Sequence, residues 1–446
     1  MPMREVPDQG LQPMRPAHAG RPDWAALALQ YERVRAHTQR LAAPLSAEDA
    51  CVQSMPDASP AKWHLAHSSW FFETFVLSVH QQGYSPFDVS FRMLFNSYYQ
   101  QVGARHPRAQ RGLLTRPPLA YVMAYRAAVD AQMLALMTGM NARSTVEQAA
   151  VAQLIALGLQ HEQQHQELLL TDVKHLLSCH PLWPAYASDG LVNASLERAA
   201  ADLAWQSIEA GVYAIGHGGS GFAFDNEMPR HSVYVQAAQI ALRPVSNGEY
   251  LRFVLEGGYS QPQWWLSEGW DWCQAQQLSH PWYWRALENS AGAVGWQEFS
   301  LHGAVALHVQ RPVCHLSYFE ADAYARWAGA RLPTEMEWEV AMGVYGWPEL
   351  LLGANPSLHP EPMTGDPGPA IGRVWEWTQS SYAAYPGFRV AEGAVGEYNG
   401  KFMVNQYVLR GGSCLTPAGH ARLSYRNFFP ATARWQMTGL RLARDA

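Results

Sequence analysis

Residues 144–178 read STVEQAAVAQLIALGLQHEQQHQELLLTDVKHLLS, and the stretch predicts one long helix. Ser144 and Glu147 fit a capping box, in which a hydroxyl takes an orphan N–H and a carboxylate three residues on answers it. Gly158 is the only helix breaker inside. At about 1.5 Å per residue the helix would run roughly 50 Å, enough to cross a small domain. Its middle carries His161 and His165, four residues apart and therefore stacked on one face. Both imidazoles can aim at one ion, and Glu167 is expected to orient a ligand from behind.

Two plainer readings compete. Eighteen histidines in the chain make a chance pair at this spacing common. The segment also matches H-E-x-x-H, in which Glu162 would be the general base of a zinc hydrolase.

A chain of 446 residues with 48% hydrophobic residues has room for two or three domains with real cores. The formal charge of −6 and the lack of a basic block argue against nucleic acid and anionic membrane as partners. No run of 18 apolar residues exists to span a bilayer. Residues 1–22 lack an apolar core and read as a disordered lead-in, not a signal peptide. Five scattered cysteines without a C-x-x-C pair suit a reducing cytoplasm. The chain carries no signal of its oligomeric state.

A first helix is expected after Asp23, with Trp24, Leu27, Tyr31, Val34 and Leu41 as its buried stripe. A second is expected from Ser59-Pro60, a cap followed by proline in the first turn. It carries His64 and His67 among Trp63, Trp70, Phe71 and Phe72, where a histidine is commonly a hydrogen-bonded core residue. A third fits residues 118–137. With the long helix these form an up-down four-helix bundle over 23–180, an architecture that builds metal sites from facing helices. Residues 83–117 show no periodicity, and a loop of that length is usually functional or disordered. Its aromatics argue for order. Tyr98, Tyr99, Arg105, Arg108, Arg111 and Arg116 offer phenols and cations to a substrate, or the arginines are simply solvated.

After a linker over 181–204 the texture changes to Gly, Trp and short strand-like runs, as in an α+β domain over 205–446. Only ADAYARWAG (321–329) and TEMEWEVAM (334–342) read as helices there. This half resembles the formylglycine-generating-enzyme fold, a C-type-lectin-like domain. The landmarks are FDNE (224–227), PVSNGEY (244–250), GARLPTE (329–335), VWEWT (374–378), RGGS (410–413) and GLR (439–441). The enzymes that name the fold use paired cysteines late in the domain. Here Cys414 stands alone, so formylglycine chemistry is not expected, and Cys414 reads as a small buried residue.

The first half is similar to the DinB-type bundle. In this order the two folds resemble the ergothioneine-type sulfoxide synthases and the selenoneine synthases that branch from them. The best-matching pieces are WHLAH (63–67), LFNSYY (94–99), HEQQHQE (161–167), GEYNGKF (396–402) and YRNFF (425–429). The implied class is multidomain α and α+β: an N-terminal DinB-like four-helix bundle plus a C-terminal C-type-lectin-like domain.

The resemblance implies an Fe(2+) cofactor held by His67, His161 and His165, His67 being preferred to His64 because the family's ligand is the later of the two. Three neutral imidazoles leave open positions for O₂ and a donor atom. The family joins sulfur to C2 of the imidazole of hercynine, trimethylated histidine. Cysteine or γ-glutamylcysteine gives a sulfoxide, and the selenium branch takes a selenosugar. Gln164 is expected at the substrate imidazole and Asn427 at its polar end, with Tyr98 or Tyr99 as proton donor.

A trimethylammonium is best held by aromatic faces. Trp377 or Phe428, with Phe429 nearby, are the expected faces, and Trp375 the expected core residue. Arg105 and Arg373 are further substrate candidates, Arg373 standing where Asn or Asp is expected. The γ-glutamylcysteine users carry an acid two residues after the position of Asn427 and an arginine beyond. Phe429 and Ala433 stand there, so a smaller donor is expected, with cysteine and a selenosugar equally open. The alternatives are a zinc hydrolase and a non-catalytic lectin-like binding protein. The extended zinc pattern needs Gly three residues past the second histidine, where Leu168 stands.

Overall fold

Asp23 opens the first helix, α1 (Trp24–Ala42), its carboxylate accepting the Ala26 N–H at 3.0 Å. That is the first element of a computed structural model that describes residues 21–187, 203–219, 221–288, 294–345, 357–363 and 370–446. Most of the expected lead-in (1–20) and of the expected linker (188–202) lies outside the described residues.

The second helix, α2 (Ala61–Phe72), buries every one of its residues. Pro60 occupies its N-cap and no side chain caps it. The expected cap, Ser59, is engaged elsewhere: its hydroxyl accepts from Arg111 at 2.8 Å and its N–H donates to Asp172 at 2.8 Å. The helix then widens into a π turn, Glu73–Leu77. There Glu73 collects the hydroxyls of Tyr84 and Tyr125, each at 2.7 Å. The third helix, α3, spans Leu119–Gly139 and the fourth, α4, Thr145–Ser178. Ser144 caps α4 by accepting the Glu147 N–H at 3.2 Å. Glu147 does not complete the box, because its carboxylate turns to Arg143 at 2.5 Å.

Trp70, Phe71 and Phe72 of α2 are fully buried between the other helices, each stabilising by about 1.5–3 kcal/mol relative to exposure. Gly158 is needed for this packing. A Cβ there would lie 2.5 Å from Cε1 of Phe72 and 3.0 Å from Cδ1 of Phe71. Its absence lets α4 approach α2 closely enough for histidines on the two helices to meet. Residues 83–117 are ordered by Asn96, whose amide donates to the carbonyls of Tyr99 (3.0 Å) and Gly103 (3.2 Å) and accepts the Tyr99 N–H at 3.1 Å.

In the second half, a four-stranded sheet runs in the order Asn427–Pro430, Gln406–Arg410, Trp375–Ser381, Thr438–Leu440, its last pairing parallel and the others antiparallel. A three-stranded sheet of Trp205–Ile208, Ala238–Ala241 and Ala443–Asp445 joins the start of this half to the chain's end. Among the described residues four helices accompany them: α5 (Asn247–Leu255), α6 (Ser267–Ala275), α7 (Tyr318–Trp327) and α8 (Glu335–Gly343). Two were expected. The missed α5 carried a readable signal, because Ser246 and Glu249 form a full capping box like those opening α7 and α8. The landmarks hold buried ion pairs. Arg441 grips Glu376 with two bonds of 2.6 Å, and Arg426 and Arg410 share Glu335.

The two halves meet along α4. Gln160 contacts His420 at 2.8 Å, Gln163 donates to the Ala418 carbonyl at 3.2 Å, and the Lys174 ammonium donates to His315 at 2.7 Å. All five cysteines are free, and no described helix is long and apolar enough to cross a membrane.

Candidate metal centre

His67 comes from α2, and His161 and His165 from one face of α4. Their ring centroids form a near-equilateral triangle of 4.6, 4.8 and 4.9 Å. One nitrogen from each lies within 4.8 Å of the others, and the Nε2 atoms of His67 and His161 are 3.2 Å apart. Nδ1 of His67 lies 2.6 Å from the Phe95 carbonyl oxygen. It must therefore carry the proton, which leaves a lone pair on Nε2. The rings are held in place. His67 is stacked between Trp63 at 4.4 Å and Trp70 at 5.4 Å, and His161 rests on Phe71 at 4.8 Å. Burial, then the neighbouring imidazoles, pushes His67 and His165 well below the usual histidine range. Burial also takes His161 down to about 3. All three are neutral near pH 7, the state a metal requires.

Three imidazoles without thiolate or carboxylate fit iron(II) with open positions, and also fit zinc(II). Glu162 separates the chemistries. It faces the bundle interior, fully buried, and accepts from Arg35 at 2.9 Å, Arg126 at 2.9 Å and Thr38 at 2.7 Å. Burial alone would raise its pKa, but the two guanidiniums hold it down at about 2. A carboxylate so occupied cannot take a proton from water beside the histidines. Glu162→Gln is therefore expected to cost about 3–5 kcal/mol of stability, since it strands buried guanidinium charge. Urea unfolding checks this. A zinc hydrolase would instead keep its stability and lose only hydrolysis.

Glu167 does not stand behind a ligand. It accepts from the Trp375 indole at 2.8 Å, Ser413 at 2.5 Å and Thr416 at 2.7 Å, and so pins α4 to the second half. Trp375 is a buried core residue, as expected, whereas Trp377 is not a pocket face: it too is fully buried, donates to the Leu316 carbonyl at 2.9 Å and packs on Tyr318. Both project from one face of their strand, and only the first is level with α4.

Gln164, between the two helical histidines, is held at both ends by phenols. Its Nε2 donates to the Tyr425 hydroxyl at 2.6 Å, and its Oε1 accepts from Tyr398. The Tyr398 ring lies 5.6 Å from His161 and stacks on Phe224. Tyr398 lies within the landmark GEYNGKF (396–402), from which no role for it is legible. The two tyrosines of the aperiodic segment diverge. Tyr98 is half-buried at the rim, 6.3 Å from Tyr398, while Tyr99 is buried against Trp70 and Phe75. Lys401 donates to the Tyr98 carbonyl at 2.6 Å, and Glu397 accepts the N–H groups of Gln100 and Gln101. These bonds fasten residues 98–101 to the segment that carries Tyr398.

Phe428 stacks on Tyr382 at 4.0 Å and faces Phe402, which in turn meets Tyr98, forming an aromatic wall. Phe429, on the other side of the strand, packs on Trp435. The side-chain amide oxygen Oδ1 of Asn427 accepts the Phe428 N–H at 2.9 Å. Arg105 is exposed and donates to the Ser97 carbonyl at 3.3 Å, and Arg373 pairs with Glu361 at 2.6 Å.

Comparison with known proteins joins these parts. Residues 30–169 match the DinB superfamily, and residues 197–349 and 369–446 match the sulfatase-modifying factor enzyme 1-like domain. The chain is 32% identical over 451 residues to the hercynine oxygenase of Mycobacterium tuberculosis, covering 94% of this chain and 98% of that one. It belongs to the hercynine oxygenase family. The hercynine oxygenase of Mycolicibacterium thermoresistibile is 30% identical, with 95% and 96% of the two chains covered. The formylglycine-generating enzyme of M. tuberculosis is 30% identical but covers only 39% of this chain and 72% of its own. The likeness to hercynine oxygenases thus spans both the bundle with its histidines and the half that supplies Tyr398 and Tyr425.

Proposed function

We propose that this chain is an iron(II)- and O₂-using oxidoreductase of the cytoplasm that forms a C–S or C–Se bond at C2 of the hercynine imidazole. The observation that supports this most is the meeting of three neutral imidazoles with Gln164, Tyr398 and Tyr425 at one seam. Iron(II) held by His67, His161 and His165 would supply electrons and open coordination positions for O₂ and the donor atom.

The chain's own residues do the rest. Gln164 turns an amide toward the substrate imidazole, its orientation set by Tyr398 and Tyr425. In the aromatic wall Phe402 and Phe428, the latter backed by the buried Tyr382, offer π faces to the trimethylammonium, a task the buried Trp377 cannot share. Asn427 stands at the edge of that wall for the carboxylate end. Tyr398 holds the proton delivered during the reaction. Burial, reinforced by neighbouring Tyr98 and Tyr425, pushes its pKa well above the usual phenol value, so it remains protonated until needed. Tyr98 stands next in line, with Tyr99 behind it.

The donor is small. Phe429 packs on Trp435 and Ala433 is buried, so neither position offers a charge to a γ-glutamyl group. Arg105 and Arg373 are the candidate cations for a donor's acidic groups. Protein reconstituted with iron(II) without oxygen, then given hercynine, O₂ and one of cysteine, γ-glutamylcysteine or a selenosugar, is expected to make coupled product with cysteine or the selenosugar. Mass spectrometry reads the outcome. Preferred use of γ-glutamylcysteine would overturn the donor assignment, and no coupling with any donor would overturn the reaction.

A further inference from the structure

The imidazole of His165 is gripped from its other nitrogen. Nδ1 of His165 lies 2.8 Å from Nδ1 of His64, and Nε2 of His64 lies 3.0 Å from Oδ2 of Asp172. The same oxygen accepts the Ser59 N–H at 2.8 Å, and Oδ1 accepts the indole N–H of Trp435 at 3.1 Å. His64 is 2% exposed, Asp172 6% and Trp435 7%, so water does not compete for these bonds.

The proton positions follow in order. An ionised carboxylate only accepts, so Nε2 of His64 carries a proton. In the neutral ring, Nδ1 of His64 is then an acceptor, and its contact with His165 requires a proton on Nδ1 of His165. Nε2 of His165 keeps its lone pair, as a metal ligand must.

We propose that His64 and Asp172 are positioning residues that set the tautomer and ring orientation of His165 as an iron ligand, with Trp435 tying that relay to the C-terminal half. The proposal rests on the three-histidine iron site above. It gives the three ligands different supports. His67 leans on a backbone carbonyl, and Nδ1 of His161 is buried without a hydrogen-bond partner. His165 alone is wired to a carboxylate, which makes it the stronger donor. It also gives the second half a hydrogen-bonded path to the metal ligands that does not pass through substrate, through the Trp435 indole on Asp172.

Anaerobic iron(II) titration of the full-length protein tests this, with the EPR spectrum of the iron–nitric oxide adduct and the melting temperature of each metal-free variant. His64→Gln and Asp172→Asn are each expected to weaken iron binding by about 10–100-fold and to change the nitrosyl line shape. Trp435→Phe, which keeps the ring packing, should shift the line shape with a smaller loss of affinity. Affinity within about twofold of wild type, well short of that range, overturns the proposal. So does a loss of affinity with an unchanged nitrosyl spectrum, which would make the relay merely structural. Should Asp172→Asn not fold, His64→Gln decides, because it leaves the bonds from Ser59 and Trp435 to Asp172 in place. If wild type binds no iron, or His161→Ala binds it equally well, the iron site fails instead, whatever the relay variants do.

Discussion

His161→Ala is expected to abolish iron binding and turnover together. It removes one of the three proposed ligands, and among the described residues the cluster holds no carboxylate or thiolate to replace it. Loss of a partner behind a ligand already costs about 10–100-fold in metal affinity, so loss of the ligand itself should cost more than about 100-fold. The fold should survive. His161 lies among rings that remain packed without it, notably Phe71 at 4.8 Å, and alanine favours the helix. Metal analysis after anaerobic reconstitution, beside a thermal melt, separates a lost ligand from a lost fold. Retained turnover would remove the centre from the mechanism. Unchanged hercynine binding in a protein that never turns over would favour a non-catalytic binder.

Tyr398→Phe should have the second largest effect. The ring stacks on Phe224, and phenylalanine preserves that contact while deleting the hydroxyl that reaches Gln164. A positioned general acid contributes about 10²–10⁴-fold, so coupled product should fall by that order, with donor oxidation taking its place. Hercynine affinity by calorimetry should change little. Tyr98→Phe should do less, because its ring is one aromatic neighbour further from the histidines. If Tyr98→Phe collapses coupling and Tyr398→Phe does not, the proton comes from the 83–117 segment instead.

These expectations mark where sequence reasoning stopped. Tyr98 and Tyr99 are conspicuous because they lie within the aperiodic segment 83–117. Tyr398 lies 234 residues from Gln164, and nothing in its neighbours announces that partner. Glu162 and Glu167 are both acids within six residues of His161, and spacing alone allows either near the ion. Their roles were set by what covers each side of α4: Arg35 and Arg126 on one side, Trp375, Ser413 and Thr416 on the other. Trp375 and Trp377 share a strand face and are both buried, so alternation could not tell which of them reaches α4.

By itself the sequence determined the bundle helices, the paired histidines of α4 and the lectin-like second half. Helical period, caps such as Asp23 and Ser144, and clustered landmarks are local properties that survive without knowledge of contacts. Only the tertiary structure decided that Tyr398 and Tyr425 clamp Gln164, that Glu167 is a seam anchor, and that Asp172 reaches His165 through His64. Those bonds join residues 101 to 261 positions apart. Their partners are chosen by how α4 is buried between the two halves, which no local pattern encodes.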